Sequence, residues 1–483
     1  MNSFQEKTIR GINWSFANQF VNQVVNIFIS LILARILSPK EFGLIAMVVV
    51  FTGFATVISD FSIGTAIIHR KDVTQKELSS VFWLNVVIGI ALSFVFIGLS
   101  SYIAAYYDKE ILRVITMAVS ITFIFSSVNI VQSSLLKKNL DFKSIFIIQF
   151  ISVIIAGACA IYLAMSDFGV WALVSQTVIQ YFLITLITWK ISKWRPSYHF
   201  NFSELMPFLR FSMPIFATRI INYFARSLDN LLIGKNFGSV ELGVYSRSYT
   251  FMRLPVNNFA IVLHNVMFPS FSLIKDDKPR IKKIYLKIIE FVSMIVMPAM
   301  LFLFLTAHNF VFILLGEKWL AVIPILKVFC LVAVCESLVT LTGSIFMSQG
   351  KTKELFYVGT ASRVLMILAI IYAVQFDILT VAKYFAYATV ISTPLFMYYA
   401  GKSIDTSLFE VFRVLLPIIA SSLVLIPIIM FLENAVSNEI FKFFIQAFVS
   451  AIVYLFIIYN LGLESFNTVM IRIKSIFNKI KNS

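Results

Sequence analysis

The chain is dominated by apolar segments of about 20 residues or more, which alternate with short polar connections. A helix needs about 20 mainly apolar residues to cross the hydrocarbon core, and backbone that faces lipid must satisfy its own hydrogen bonds. The pattern therefore predicts an all-α integral membrane protein with about fourteen transmembrane helices. The predicted spans are 12–37, 42–68, 80–106, 112–136, 144–166, 169–189, 208–234, 240–268, 284–309, 321–348, 354–376, 378–400, 411–432 and 440–463.

Composition favours a membrane protein over a soluble, metal-binding or nucleic-acid-binding one. Hydrophobic residues make up 59% of the chain and charged residues 13%, whereas soluble domains average about 45–50% and 25%. The net charge of +16 comes from basic residues scattered over short connections, so no nucleic-acid partner is expected. Cys159, Cys330 and Cys335 lie inside apolar runs without metal-ligand spacing, so neither a metal nor another cofactor is predicted.

The lysines and arginines of the connections set the orientation in the membrane. Nearly all of them fall in one set of alternate connections, and the clear exceptions are Lys40, Lys109, Lys235 and Lys318. Short basic connections resist translocation and stay in the cytosol. Both termini are therefore predicted to be cytosolic.

An internal repeat relates the first two spans to the seventh and eighth. An ungapped offset of 200 residues places the turn at residues 40–44 on residues 240–244. Six spans separate the copies, so both run in the same direction, as in transporters whose halves are related by an axis along the membrane normal. We therefore predict an N-terminal lobe at 1–200, a C-terminal lobe at 201–400, and two additional spans with a cytosolic tail at 401–483.

Four segments carry a resemblance to a known family: ARILSPKEFGL at 34–44, DFSIGTAIIHRK at 60–71, DNLLIGKNFGSVELGVY at 229–245 and FPS at 268–270. With these segments the chain resembles the oligosaccharide flippases of the multidrug/oligosaccharidyl-lipid/polysaccharide exporter superfamily, of the lipopolysaccharide and colanic-acid exporter type. The resemblance implies two six-helix lobes around a central cavity and a polyprenyl-diphosphate-oligosaccharide substrate. It supplies no catalytic positions, so the site residues are inferred from the residues themselves.

The seventh span carries one polar stripe, because Arg219, Asn222, Arg226 and Asp229 fall within an arc of about 80° at 100° per residue. Charges at this depth are costly and need a partner or a wet cavity. We predict that Arg219, Asn222 and Arg226 bind the substrate. An ion pair of Arg226 with Asp229, three residues apart, is the open alternative for that part of the stripe.

Two further groups of polar residues are predicted to bind substrate. The first span presents the amides Gln19, Asn22 and Asn26 at the repeat-equivalent positions of the stripe, and the eighth span carries Arg253 and Asn257. Amide faces also join helices to each other by hydrogen bonds, and that interpretation stays open.

Three carboxylates, Asp60, Glu290 and Glu336, lie within predicted spans; Asp60 and Glu336 have no basic residue three or four positions away, whereas Glu290 has Lys287 three positions before it. They are therefore the candidates for binding a coupling ion. The alternative for each is an interhelical pair or an end residue that reaches the membrane surface.

These features predict a flippase, not an enzyme, that moves a lipid-linked oligosaccharide from the cytosolic to the outer leaflet of the bacterial cytoplasmic membrane. The planar guanidinium of arginine suits a diphosphate, because it binds pairs of oxygens and keeps its charge. The expected partners are the lipid-linked substrate, membrane lipids, and the polysaccharide polymerase and glycosyltransferases of surface polysaccharide biosynthesis.

Two alternatives to this function stay open. A multidrug or peptidoglycan-precursor exporter would share the fold, although an exporter of cationic drugs is expected to use carboxylates where the seventh span has arginines. A membrane-embedded polymerase or glycosyltransferase is expected to need a longer extracytoplasmic segment than these short connections provide.

Overall fold

The apolar segments form helices joined by short connections in the part of the chain that the structure describes, residues 3–463 and 465–466. The structure is a computed structural model, and these residues contain no strand. Only the backbone is described at 3–10, 12, 13, 16, 225, 255–266, 268 and 269. The predicted cytosolic tail after residue 466 lies outside the described residues.

The chain forms two compact units, Met1–Gly243 and Val244–Ser483. The first contains α1 (Ser3–Ile36), α2 (Pro39–Asp60), α3 (Ile63–His69), α4 (Gln75–Tyr107), α5 (Ile111–Lys138), α6 (Phe142–Met165), α7 (Val170–Ile191) and the beginning of α8 (Phe202–Leu273). The lobe boundaries proposed from the repeat, at residues 200 and 400, stay a prediction.

The second unit contains the rest of α8 and nine further helices. They are α9 (Lys278–Leu305), α10 (Ala307–Leu314), α11 (Val322–Val339), α12 (Thr342–Ser348), α13 (Thr352–Ala373), α14 (Ile378–Ser403), α15 (Leu408–Leu423), α16 (Leu425–Ala435) and α17 (Glu439–Leu461). A 3₁₀ turn at Glu317–Trp319 precedes α11.

Fourteen segments of the described chain can cross a membrane, which confirms the predicted fold class. Twelve are long and apolar enough by length and composition alone. The other two are the halves of α8, which Gly238 interrupts with a φ of 87°. The polar stripe of residues 219–229 lowers the hydropathy of the first half, although that half is long enough to span.

The second predicted span differs from expectation, because it is divided into α2 and α3. Phe61 and Ser62 between them have φ values of 38° and 55°, in the left-handed region. Such a backbone costs about 1–3 kcal/mol for a residue with a side chain and persists only where the surroundings impose it. Neither glycine nor proline stands at this break, so the sequence gives no signal for it.

The repeat is visible in equivalent helix breaks. Ser38 is the N-cap of α2, and its backbone N–H donates to the carboxylate of Glu41 at 2.9 Å. The break in α8 lies at Gly238, which is the residue 200 positions later. Both copies therefore fold as a helix, a short break and a second helix.

Gly43 and Gly243 bring the two copies of the repeat into backbone contact. An ideal Cβ added to Gly43 would lie 1.6 Å from the carbonyl oxygen of Ser239, and one added to Gly243 would lie 1.9 Å from that of Pro39. Positions 39 and 239 are themselves repeat partners, so the contact is reciprocal. Only glycine allows so close an approach.

The connection before α8 is fastened to the beginning of α4. The Trp83 indole donates to the carbonyl oxygen of Ser197 at 2.9 Å, and the hydroxyls of Ser79 and Ser197 are 2.9 Å apart. The Trp194 indole donates to the side-chain oxygen of Gln75 at 2.6 Å. These bonds hold the connection that precedes α8 against α4.

Glu204, in the first turn of α8, completes this attachment. His199 Nε2 donates to its carboxylate at 3.0 Å, and the Ser80 hydroxyl donates to the other oxygen at 2.8 Å. The hydrogen bond from His199 holds the pKa of Glu204 below its usual value, with a further contribution from Ser80. The stripe on α8 therefore starts from an anchored end.

Candidate functional site

Arg219 on α8 and Asp60 on α2 form an ion pair, in which Arg219 Nη1 donates to Asp60 Oδ2. The sequence predicted separate roles for them, substrate binding and ion coupling. The Arg219 side chain remains 44% exposed and that of Asp60 35% exposed. The protein therefore covers this pair only in part.

The seam between α2 and α8 fixes the rotation of Arg219. The rings of Phe61 and Phe216 have centroids 4.3 Å apart, and the Tyr223 hydroxyl donates to the Val50 carbonyl oxygen at 2.8 Å. Gly53 makes room for this tyrosine, because a Cβ there would lie 2.3 Å from the hydroxyl oxygen. Contacts on both sides of Arg219 in the sequence thus direct it toward α2.

The other members of the stripe differ in burial. Asn222 is half-buried, Arg226 is exposed and Asp229 is buried, with its carboxylate accepting the backbone N–H of Asn230 at 2.7 Å. Asp60 adds a second carboxylate beside the stripe. The stripe is consequently less cationic than its own sequence suggests.

The amides on α1 form hydrogen bonds along their own helix. The Asn22 side chain donates to the side-chain oxygen of Asn18 at 2.7 Å, and Asn26 donates to the Asn22 carbonyl oxygen at 2.8 Å. Gln19 is half-buried beside them. The side-chain oxygen of Asn22 is buried without a hydrogen-bond partner among the described atoms. Substrate binding by these amides stays a prediction.

Arg253 and Glu336 lie together in the second unit. Arg253 Nη1 is 3.8 Å from Glu336 Oε2 and donates to the Tyr249 hydroxyl at 3.1 Å. The guanidinium carbon also lies 5.7 Å from the centroid of the Tyr249 ring. The side chain of Asn257, predicted to belong to the same group, lies outside the described residues.

Glu290 on α9 holds the segment that follows α17. Its carboxylate accepts the Ser465 hydroxyl at 2.5 Å and the Ser465 backbone N–H at 3.2 Å. The Ser465 hydroxyl also lies 2.9 Å from the carbonyl oxygen of Lys287. These contacts are those of an anchor for the chain after α17, and ion coupling through Glu290 stays a prediction.

Sequence reasoning missed a buried basic residue near the turn between α16 and α17. Lys442 lies 3.2 Å from a carboxylate oxygen of Glu433 and 3.2 Å from one of Glu439. Gln446 donates to the other oxygen of Glu433 at 2.9 Å. The spacing of Glu439 and Lys442 was the available signal, and the group joins the last two spans.

The arrangement around Arg219 can bind an anion. Arg219 offers a partly exposed guanidinium, and the described residues contain no group of three or more His, Cys, Asp or Glu side chains that could hold a metal ion. Two of the predicted arginines, Arg219 and Arg253, are each joined to one of the predicted coupling carboxylates, Asp60 and Glu336. Binding and any ion coupling would therefore involve the same pairs.

Residues 32–324 match the family described as polysaccharide biosynthesis protein. The lipopolysaccharide biosynthesis protein WzxC of Escherichia coli (strain K12) is 28% identical over 375 residues, which cover 76% of this chain and 75% of WzxC. The teichuronic acid biosynthesis protein TuaB of Bacillus subtilis (strain 168) is 26% identical over 398 residues, 81% of this chain and 82% of TuaB. The succinoglycan biosynthesis transport protein ExoT of Rhizobium meliloti (strain 1021) is 24% identical over 330 residues, 67% and 66% of the two chains.

The fold is similar to that of a solved structure, the lipid II flippase MurJ in an inward closed conformation. The TM-score is 0.76 at 18% sequence identity, and the match covers 92% of this chain and 98% of MurJ. At this identity the likeness concerns the fold alone.

Proposed function

We propose, because the chain belongs to the polysaccharide biosynthesis protein family, that it moves a polyprenyl-diphosphate-linked oligosaccharide from the cytosolic to the outer leaflet of the bacterial cytoplasmic membrane. The resemblance to this exporter superfamily and the all-α multi-pass membrane fold, both predicted from the sequence, are confirmed. The names of WzxC, TuaB and ExoT refer to three different polysaccharides. They support a glycan cargo without selecting its sugars.

The partly exposed guanidinium of Arg219 within a membrane-spanning helix carries this proposal. A cation at this depth is unfavourable in lipid and needs a partner, and the part of the guanidinium that Asp60 leaves uncovered can bind an anionic ligand. A diphosphate matches the guanidinium in charge and geometry. An exporter of cationic drugs is expected to use carboxylates where the seventh span carries Arg219 and Arg226.

In this proposal transport occurs by alternating access between the two lobes. The head group enters from the cytosolic leaflet, the lipid tail stays in the bilayer, and a rocking motion exposes the head group on the other side. A membrane potential negative inside favours outward movement of an uncompensated anion by about 2.3 kcal/mol per charge per 100 mV. In this proposal both termini are cytosolic and the protein is not an enzyme. Glycosyltransferases assemble the cargo before it is moved, and a polymerase acts on it afterwards.

A complementation experiment tests this function. The wild-type gene should restore surface glycan export in a strain that lacks its own transporter. Arg219→Lys should restore export in part, because lysine keeps the charge but lacks the planar pair of N–H donors of the guanidinium. Arg219→Ala should restore much less. All variants are compared at equal membrane abundance. Normal export by Arg219→Ala at matched abundance would show that Arg219 does not bind the substrate.

A further inference from the structure

Asp60 occupies an electrostatically unfavourable position that Arg219 compensates. It is the last residue of α2, where the backbone carbonyls give the helix end a partial negative charge that disfavours a carboxylate. It directly precedes the strained residues Phe61 and Ser62. Strain of this kind is concentrated at functional sites. A carboxylate at this place therefore calls for an explanation beyond packing.

We infer that Asp60 is a built-in competitor for the anionic head group, and that it sets the affinity and charge selectivity of Arg219. This inference rests on the proposed function and names the regulation of the same site. In the structure the Asp60 carboxylate accepts a hydrogen bond from Arg219 Nη1 and so occupies one of the guanidinium donors. A diphosphate must replace it, because carboxylate and phosphate oxygens use the same donors.

The accessibility of the pair makes this exchange feasible. Both side chains are more than one-third exposed, at 44% and 35%. The protein therefore leaves part of the guanidinium uncovered for a ligand. Arg219 itself is held by the seam through Phe216 and Tyr223. The guanidinium can therefore change partner while the helix keeps its place.

Competition of this kind has two consequences for a transporter. A ligand with one negative charge gains little by replacing a carboxylate, whereas a diphosphate carries more charge and more acceptor oxygens. The site thus selects against singly charged anions. It also weakens the binding of the cargo, which favours release after the cargo has crossed.

The inference differs from ion coupling in what it predicts for Asp60→Asn. Ion coupling through Asp60 predicts loss of gradient-driven transport with substrate binding retained at its wild-type strength. Competition predicts tighter binding of an anion, because the amide no longer neutralises Arg219. The affinity for an anion at constant pH therefore separates the two roles.

The test measures binding of inorganic pyrophosphate to the purified full-length protein by isothermal titration calorimetry. The dissociation constant of Asp60→Asn should be about two- to fivefold lower than that of the wild type, the range expected for a partly exposed ion pair. Asp60→Glu keeps the carboxylate and should bind like the wild type. Asp72→Asn removes the same charge from an exposed connection and should also leave binding unchanged.

Each outcome decides the inference. Equal or weaker binding by Asp60→Asn than by the wild type overturns it, as does an equal gain for Asp72→Asn, which would be a general charge effect. Binding that disappears in Arg219→Ala, with the gain in Asp60→Asn, supports it. Normal glycan export by Arg219→Ala would instead refute the proposed binding site. The export assay thus tests the proposed function, whereas the pyrophosphate measurements test the competition by Asp60.

Discussion

At the scale of single residues, charged side chains on different helices face each other and form pairs. Arg219 and Asp60 are 159 positions apart in the chain and form one pair. Arg253 and Glu336 form another in the second unit. Charges that look uncompensated within their own helices thus have partners elsewhere. Arg226 is an exposed member of the stripe, so the effect of its substitution on export tests the predicted binding role directly.

Replacing Arg226 should reduce glycan export with the same order as at Arg219. Arg226→Lys should retain part of the export activity. Arg226→Ala should reduce export about tenfold, because a charge-assisted hydrogen bond to the cargo disappears. Export is measured by complementation at matched membrane abundance, since alanine at this position also changes the surroundings of the buried Asp229.

Arg210→Ala is the matched control for Arg226. This substitution also removes an exposed arginine side chain from α8. Arg210 lies nine residues before Arg219, and at 100° per residue this separation places it on the opposite face of the helix. Export by Arg210→Ala should equal that of the wild type. Equal losses for Arg210→Ala and Arg226→Ala would count against a special role for the stripe.

The sequence predicts which charged residues share a helix face but not how they pair across helices. Helical periodicity places Arg219 and Arg226 on one face, and the cost of charge in lipid marks Asp60 as a residue that needs a partner. Which helices are neighbours depends on tertiary packing, about which one sequence contains little information. The pairing of Asp60 with Arg219 and the burial of Lys442 were therefore not predicted.

At the scale of helices, the repeat is joined by the reciprocal contact of Gly43 and Gly243. Any side chain larger than hydrogen at Gly43 meets the backbone of Ser239, and backbone cannot rotate away as a side chain can. Gly43→Ala should therefore destabilise the protein by about 1–3 kcal/mol, the usual cost of overpacking. Thermal unfolding of the detergent-solubilised protein measures the effect.

Gly98→Ala is the control for this prediction. It lies within α4, and an added Cβ there would have no heavy atom within 4 Å. Since alanine is favoured over glycine in a helix, Gly98→Ala should match or slightly exceed the wild-type melting temperature. Indistinguishable melting temperatures for the two variants would contradict the close contact of the repeat copies.

Helix breaks are predictable only where the chain uses the residues that usually mark them. Pro39 after Ser38 and Gly238 in α8 are such residues, and the repeat offset relates them. The left-handed conformations of Phe61 and Ser62 are imposed by packing on residues that do not favour them. The division of the second span into α2 and α3 could therefore not be predicted.

At the scale of the whole molecule, the orientation in the membrane follows from the asymmetric distribution of lysine and arginine. Reporter fusions after residues 40 and 318 should be extracytoplasmic, and fusions after residues 140 and 280 should be cytosolic. Enzymatic reporters active on only one side of the membrane measure this. A reversed result at two or more of the four positions would contradict the proposed topology.

The number of spans was the most predictable property of the molecule. Lipid requires long apolar helices, and length with hydropathy identifies twelve of them in the described chain, to which the two halves of α8 add two. The two halves of α8 were predicted from their apolar residues as the spans 208–234 and 240–268. The limits of the lobes and the course of the transport pathway depend on packing between helices, and they stay predictions.

The proposed function requires that the protein itself moves an anionic lipid-linked glycan across a bilayer. The most direct measurement reconstitutes the purified protein into vesicles that contain a fluorescent polyprenyl-diphosphate-linked oligosaccharide and follows its exposure to a membrane-impermeant quencher. The wild type should raise the quenchable fraction from about half to nearly all, and Arg219→Ala should do so far more slowly. A quenchable fraction equal to that of protein-free vesicles, with the protein folded and inserted, would contradict the account.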